Sequence, residues 1–451
     1  EWKPKDQWLG GGSIGYKTKQ WNIRYRLNYL NETIFGPGDV NAKNMAIDRD
    51  YLTARYTHTL LSEGKFTDKW TAHLSATYQN YSRQTQTTQR NMETNERKKT
   101  VGQGEQDLSM FKTAFIRTTA QYKPSKIWAL QGGAEYRSDR GSGDRIDSTQ
   151  RIEDYSLFAS AEIKPLAWLN IRPGLRFSHN SVYDAPPMIP SINVLLNVRS
   201  DMDVRLAYAR GFRAPALREL YFKFVDSNHH IFGNTDLEAE YSNSLTGSFT
   251  WRWVENNDVR YTAVLSGFYN RYYNLITTAV DANNTDNYTY VNIDRFRTTG
   301  GTWENTVTWQ QLHVSLGVSY IGRYNLYAED AQYDDLPIFN WSPEVNGNVS
   351  FRFKKIGLEM SLYGKYTGIK PLFQLDSAGE ATKTQTGAFT WMDFTVSKTL
   401  WKYWTASAGI KNIFDVTRIQ NTSAGTGAHS SSGDLQMSYG RSWFIGVGFQ
   451  W

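Results

Sequence analysis

Two histidines stand side by side, His229 and His230, inside the segment GFRAPALRELYFKFVDSNHHIFGNTDLEAE at residues 211–240. A neutral imidazole can ligate a metal ion, or simply donate and accept hydrogen bonds. In an extended segment adjacent side chains point in opposite directions, so one of the pair faces solvent or the loop's own packing. The same segment carries Arg213 and Arg218, whose guanidinium forks suit anionic groups or the solvation of a rim. Tyr221, Phe222, Phe224 and Phe232 supply either an apolar wall for a flat ligand or a small core for the loop itself.

Other groups with chemical potential are scattered. His179 and His429 are expected in long loops, His58 on an apolar strand face, and His73 and His313 on polar strand faces. His73 and Ser75 share a face, but nothing around them supplies the oriented base that a nucleophile needs. The carboxylate pairs Glu329-Asp330 and Asp334-Asp335 lack the aspartate spacing and glycine of a calcium loop. No phosphate-cradling GxxxxGK[ST] run occurs. With 0 Cys there is no thiolate metal site and no disulfide, as expected where stray thiols would be oxidised. These residues support binding rather than covalent chemistry, and the enzyme class is set aside.

Positioning such a loop requires a frame, and the composition indicates its kind. Aromatic residues make up 15% of the 451, while the mean hydropathy is -0.58. Many rings in a hydrophilic chain suit an aromatic belt at a membrane interface better than a packed core. No window approaches the roughly 20 apolar residues of a membrane-spanning helix. The net charge of +6 is dispersed, apart from Arg97-Lys98-Lys99, so no nucleic-acid footprint is present.

The frame shows in alternation. In SYGRSWFIGVGFQW, Tyr439, Trp443, Ile445, Val447, Phe449 and Trp451 share one face with Arg441, and small or polar residues dominate the other. Residues 70–78 and 203–208 repeat the pattern. Strands of roughly ten to fourteen residues are expected, longer than most globular strands and long enough to cross an outer membrane. Tight links such as Ser62-Glu63-Gly64-Lys65, Ser200-Asp201 and Gln310-Gln311 alternate with long polar links, including 33–49, 83–107, 212–239 and 276–296. Short turns on one rim and long loops on the other characterise a transmembrane antiparallel β-barrel, here with about nineteen strands. Closed single-chain bacterial barrels have even strand numbers and an open edge in lipid is not tolerated, so an odd count implies further strands upstream. The chain is therefore expected to be one barrel domain over residues 1–451, the C-terminal part of a larger barrel. Pro215, with φ preset for a first helical turn, predicts that a strand ends at Arg213 and a short helix follows. Gly233 and Asn234 predict a turn before the next strand descends from Glu240.

Three boxes in this order closely resemble those of TonB-dependent outer-membrane receptors. The first is Gly211-Phe212-Arg213-Ala214-Pro215 with Arg218-Glu219-Leu220-Tyr221, continuing to Gly233-Asn234-Thr235-Asp236-Leu237 and Glu240. The second is Lys411-Asn412-Ile413-Phe414-Asp415, and the third the aromatic-ended strand at 446–451. Thr235 departs from the pattern, which has proline there. The resemblance implies an all-β barrel of 22 strands, with an N-terminal plug and coupling box that this chain does not contain. It implies a Gram-negative outer-membrane importer of a bulky metal chelate, haem or cobalamin foremost, with siderophores or other large solutes as alternatives. A passive porin is the rival from outside the family. In haem-importing members a histidine between the first boxes can ligate haem iron, which places His229 or His230 in that role. No cofactor is required, haem or a corrinoid being cargo. The implied partners are a TonB-type energy-coupling complex acting through the plug, the N-terminal remainder of the receptor, the bilayer with its lipopolysaccharide, and a surface lipoprotein.

Overall fold

In the computed structural model the described residues are 3–226, 229–255, 258–281, 284–329, 331–333, 335–375, 380–422 and 433–450. Nineteen long strands form one antiparallel meander, each pairing with its neighbours in sequence. They are β1 (Lys5–Lys17), β2 (Trp21–Ile34), β3 (Met45–Lys65), β4 (Trp70–Asn91), β5 (Leu108–Tyr122) and β6 (Trp128–Gly143). Then come β7 (Gln150–Leu166), β8 (Leu169–Asn180), β9 (Ile189–Arg199), β10 (Met202–Arg213), β11 (Glu240–Glu255), β12 (Val259–Asp281) and β13 (Asn284–Trp309). The last are β14 (Leu312–Tyr324), β15 (Phe339–Phe353), β16 (Leu358–Thr367), β17 (Phe389–Leu400), β18 (Trp404–Lys411) and β19 (Ser442–Phe449). Three short loop strands join them and bring the sheet to 22. Among the described residues β1 pairs only with β2 and β19 only with β18.

The apolar faces point outward. Leu265 is 57% exposed, Trp303 50% and Ile445 87%, values that make sense when lipid rather than protein covers them. The buried apolar cluster gathers the mouth loop against the outer ends of two strands: Leu217, Leu220, Ile231 and Leu237 with Ile152 and Tyr290. Among the described residues no helix is long and apolar enough to cross a membrane.

Two expectations need correction. Strand length is underestimated for the hairpins that project beyond the bilayer, since β12 has 23 residues and β13 has 26. The link expected at 276–296 is therefore mostly ladder. Its polar residues keep pairing above the membrane because water tolerates either face there, so alternation fades while the backbone hydrogen bonds continue. The tight turn expected at Ser62–Lys65 is also displaced, as β3 runs through Lys65 and Trp21 pairs with Gly64.

Candidate functional site

The site begins where β10 ends at Arg213, as the position of Pro215 predicts. Pro215 is fully buried, and a helix of 5 residues, α1 (Leu217–Tyr221), follows it. The Glu219 carboxylate accepts the Ala216 N–H at 2.7 Å, satisfying one donor of the first turn. Leu217 and Leu220 enter the outer cluster against Ile152 of β7 and Tyr290 of β13. Such burial stabilises by about 1.5–3 kcal/mol per side chain, enough to hold a short helix that would not form alone. The chain then makes a hairpin, Lys223–Asp226 with His229–Phe232, which meets β13 through Ile231 and Phe232.

Gly233 closes this fold, its N–H donating to the Phe222 carbonyl at 2.6 Å. A Cβ there would lie 2.6 Å from the carbonyl carbon and oxygen of Leu220, too close for any side chain. We expect Gly233→Ala to destabilise the loop by about 1–3 kcal/mol and to speed proteolytic nicking within residues 211–240 of the folded receptor. Unchanged nicking would remove the close approach as the reason for glycine.

Arg213 joins three elements. Its Nε and Nη2 donate to the two Glu240 oxygens at 2.6 and 2.5 Å, and its Nη1 donates to Glu219 at 2.8 Å. Glu240 also accepts the Ile276 N–H at 2.6 Å. The end of β10, α1 and the start of β11 are thus tied at one guanidinium, and Glu240 extends the tie to β12. Asn234 adds a second tie, its side-chain amide donating to the Tyr290 carbonyl at 2.9 Å while its Oδ1 accepts the Asp236 N–H at 2.9 Å.

Beneath α1 lies a cavity of about 690 Å³, bounded by residues 212–218 and the inner faces of β6, β7 and β8. Arg176 donates to Glu135 at 2.6 Å and to Ser156 at 2.9 Å. Arg137 donates to Asp139 at 2.7 Å. Asp154 accepts from the Asn180 amide at 2.5 Å. Tyr183 packs on Phe212 with ring centroids 6.2 Å apart. Burial, reinforced by the charge of Asp154, pushes the Tyr183 phenol well above its ordinary pKa, so it stays neutral at physiological pH. The wall therefore offers fixed charges and hydrogen-bonding groups without an activated nucleophile, and its volume falls within the usual range of ligand sites.

The structure separates the sequence candidates. Arg213 is engaged by two carboxylates, and Arg218 lines the cavity with its guanidinium 4.6 Å from the Phe222 ring. Tyr221, Phe222 and Phe224 pack against the loop's cluster, with Arg145 stacked 4.0 Å from the Phe224 ring. Phe232 is half-buried, Leu237 is buried, and Thr235 and Asp236 are exposed. His230 is exposed on the hairpin, whereas the side chain of His229 lies outside the described residues, as do His429, Asp330 and Asp334. His179 is not in a loop: it continues the outward face of β8 beside Tyr155, 6.4 Å between rings, because ladder pairing with Tyr155 persists to the strand's end. His58 also faces outward, 2.7 Å from the Tyr25 hydroxyl. His73 shares an inner-face cleft with Ser75, and His313 lies 3.0 Å from Thr308 on the inner face. Glu329 binds Arg297 at 2.7 Å, and among the described residues no cluster of metal-ligating side chains occurs.

The box at 412–415 is a corner rather than a ligand site. Asn412 is 1% exposed and bonds the backbone of Val416 in both directions, while Phe414 is exposed. Sequence reading missed Glu135, Arg137, Asp154 and Arg176 on the cavity wall, and Tyr183 packed on Phe212. Alternation along β6 to β8 puts the strand members on the inner face, but nothing local places them beneath a loop some forty to eighty residues later.

Comparison with known proteins agrees with this geometry. Residues 3–413 match the family described as TonB dependent receptor-like, beta-barrel. The outer membrane transporter YddB from Escherichia coli superposes with a TM-score of 0.73 at 12% identity, covering 99% of this chain and 68% of that one. The siderophore receptor PirA from Acinetobacter baumannii gives 0.69 at 13% identity, over 99% and 77% of the two chains. The F5-1 variant of the FrpB iron transporter from Neisseria meningitidis gives 0.69 at 13%, over 99% and 72%. No curated protein sequence matches significantly. With the boxes, the outward apolar face and the family match in agreement, the chain belongs to the TonB-dependent receptor β-barrel family, transporters of the Gram-negative outer membrane.

Proposed function

We propose that this receptor captures a bulky metal chelate at the mouth cavity under α1 and passes it inward when TonB-type coupling pulls on a plug inside the barrel. The observation that carries this reading is the cavity itself, where Arg137, Arg176 and Arg218, with the carboxylates of Glu135 and Asp139, border a space overhung by a clamped loop. Cationic forks on a rigid wall suit the carboxylate or phenolate periphery of an iron chelate. Family membership sets aside the porin and hydrolase readings. The plug, the N-terminal remainder and a surface lipoprotein are proposed partners.

Within that class, haem is favoured by His230, which the hairpin presents to solvent near the mouth. A corrinoid or a ferric siderophore would use the cavity wall without an imidazole ligand. Titrating the full-length receptor with haem, cobalamin and a ferric siderophore separates these cargoes by absorbance and tryptophan quenching. Haem binding predicts a Soret shift that is lost in the His229→Ala/His230→Ala double variant. Haem affinity retained in that variant removes both histidines as ligands. Arg137→Gln with Arg176→Gln is expected to weaken an anionic chelate by about tenfold or more, as lost charge-assisted bonds do. Undiminished affinity for all three cargoes would overturn the cavity as the capture site.

A further inference from the structure

Below the mouth cavity the inner wall holds a second recess, of about 560 Å³, which spans β8 to β12. Arg172 of β8 shares a row there with Asn193 of β9, Ala207 of β10 and Thr246 of β11. Arg205 shares the next row toward the short turns with Ser248. Both arginines stand near the short-turn ends of their strands, which begin at Leu169 and Met202. Side chains on these strands alternate with Leu206 and Leu245, 48% and 56% exposed on the lipid side, so the recess faces the lumen.

The cations of this recess are in excess. Glu162 is shared by Arg172 at 3.4 Å and Lys164 at 3.1 Å, and Asp203 by Arg205 at 3.2 Å and Arg252 at 2.6 Å. Four cations thus divide two carboxylates, and among the described residues no carboxylate lines the recess itself. The side chains of Arg172 and Arg205 are 56% and 60% exposed, so the N–H groups not turned to Glu162 and Asp203 are open to the lumen. Position matters as much as charge. Arg176, which borders the mouth cavity, lies four residues farther along β8 than Arg172, about 13 Å at roughly 3.3 Å per residue. Between the two arginines the inner wall is low, because Gly174 faces Ser191 and Ser191 faces Ala209.

We propose that the recess is a second station for an anionic chelate, held by Arg172 and Arg205 after its release from the mouth cavity. This rests on the capture function proposed above. A chelate leaving Arg137 and Arg176 gives up charge-assisted bonds that the lumen must replace. Two guanidinium forks about one ligand's length away offer new partners before the first are fully lost. Asn193, Thr246 and Ser248 add neutral hydrogen-bonding groups, and the volume suits a bound ligand. The low wall at Gly174, Ser191 and Ala209 leaves the way between the two cavities clear.

The test measures capture and passage separately in the full-length receptor. Haem, cobalamin and a ferric siderophore are titrated against purified receptor, and energised uptake of each is followed in cells as accumulated radioiron or radiocobalt. Arg172→Gln/Arg205→Gln is expected to leave capture affinity within about twofold and to slow uptake by about tenfold or more. Arg172→Lys/Arg205→Lys keeps the charge and should recover part of the rate. Undiminished uptake in the folded Gln variant overturns the station and leaves the mouth reading standing. Failure of wild type to capture any of the three cargoes removes the mouth reading, and the station with it. A loss of capture equal to the loss of uptake would place both arginines in the first site and overturn a separate station. Slower uptake with a plug newly open to protease would make them plug anchors and would also overturn it. Gel mobility before and after heating reports whether each variant is folded. If the Gln variant does not fold, Ala207→Trp, which fills the recess, decides: uptake should fall at unchanged capture, and undiminished uptake counts against the station.

Discussion

Arg213→Gln is expected to release the mouth loop while leaving the barrel intact. The side chains of Glu219 and Glu240 are only 18% and 12% exposed, and Arg213 is their shared cation. Removing one partner of such a group costs more than the pair contributes, because the remaining charges stay desolvated and unpaired. We expect about 3 kcal/mol, on the order of a hundredfold in the population of the opened loop. Hydrogen exchange should accelerate across α1 and the hairpin, with strands such as β5 and β15 unaffected. Chelate affinity should fall with it, since the cavity loses its lid. Arg213→Lys should recover only part of the effect, because one ammonium cannot bond two Glu240 oxygens and Glu219 in a planar fork. Exchange in the Gln variant equal to wild type would mean that the clamp holds nothing.

The second large effect belongs to Asn412. At the end of β18 the backbone turns through φ 54° at Asn412 and 58° at Asp415. Asparagine tolerates this left-handed conformation better than most residues. Its side chain replaces the missing ladder: Nδ2 donates to the Val416 carbonyl and to Ser438 at 3.0 Å each, and Oδ1 accepts the Val416 N–H at 2.9 Å. Asp415 then accepts the Arg441 N–H at 2.6 Å and aligns the chain for β19. Asn412→Ala leaves these buried groups without partners and is expected to cost about 3 kcal/mol in reversible unfolding of the receptor in lipid or detergent. Asn412→Gly separates the two causes. It accepts the backbone angle but makes no bonds, so it should lose nearly as much. A glycine variant as stable as wild type would mean that the angle alone selects asparagine.

These effects show why the two boxes at 211–215 and 411–415 stand out. Each turns the chain at the end of a strand, and each does so with one polar side chain bonding several backbone or carboxylate groups. The chemistry expected of Arg213 as a ligand for an anion is the same chemistry it performs on Glu219 and Glu240. What distinguishes the two roles is the identity of the partner, which residue type does not encode. The aromatic residues pose the same question, and Phe224 answers it by packing under Arg145 rather than facing the cavity.

By itself the sequence determined the barrel, the end of β10 at Arg213, the helix after Pro215 and the start of β11 at Glu240, because strand faces, proline and turn residues act over a few neighbouring positions. Tertiary structure alone decided how far β12 and β13 climb beyond the membrane, which cations are paired and what lies beneath α1. Arg176 meets Glu135 across 41 positions and Arg213 meets Glu240 across 27, through strand neighbours whose register is set by the whole sheet.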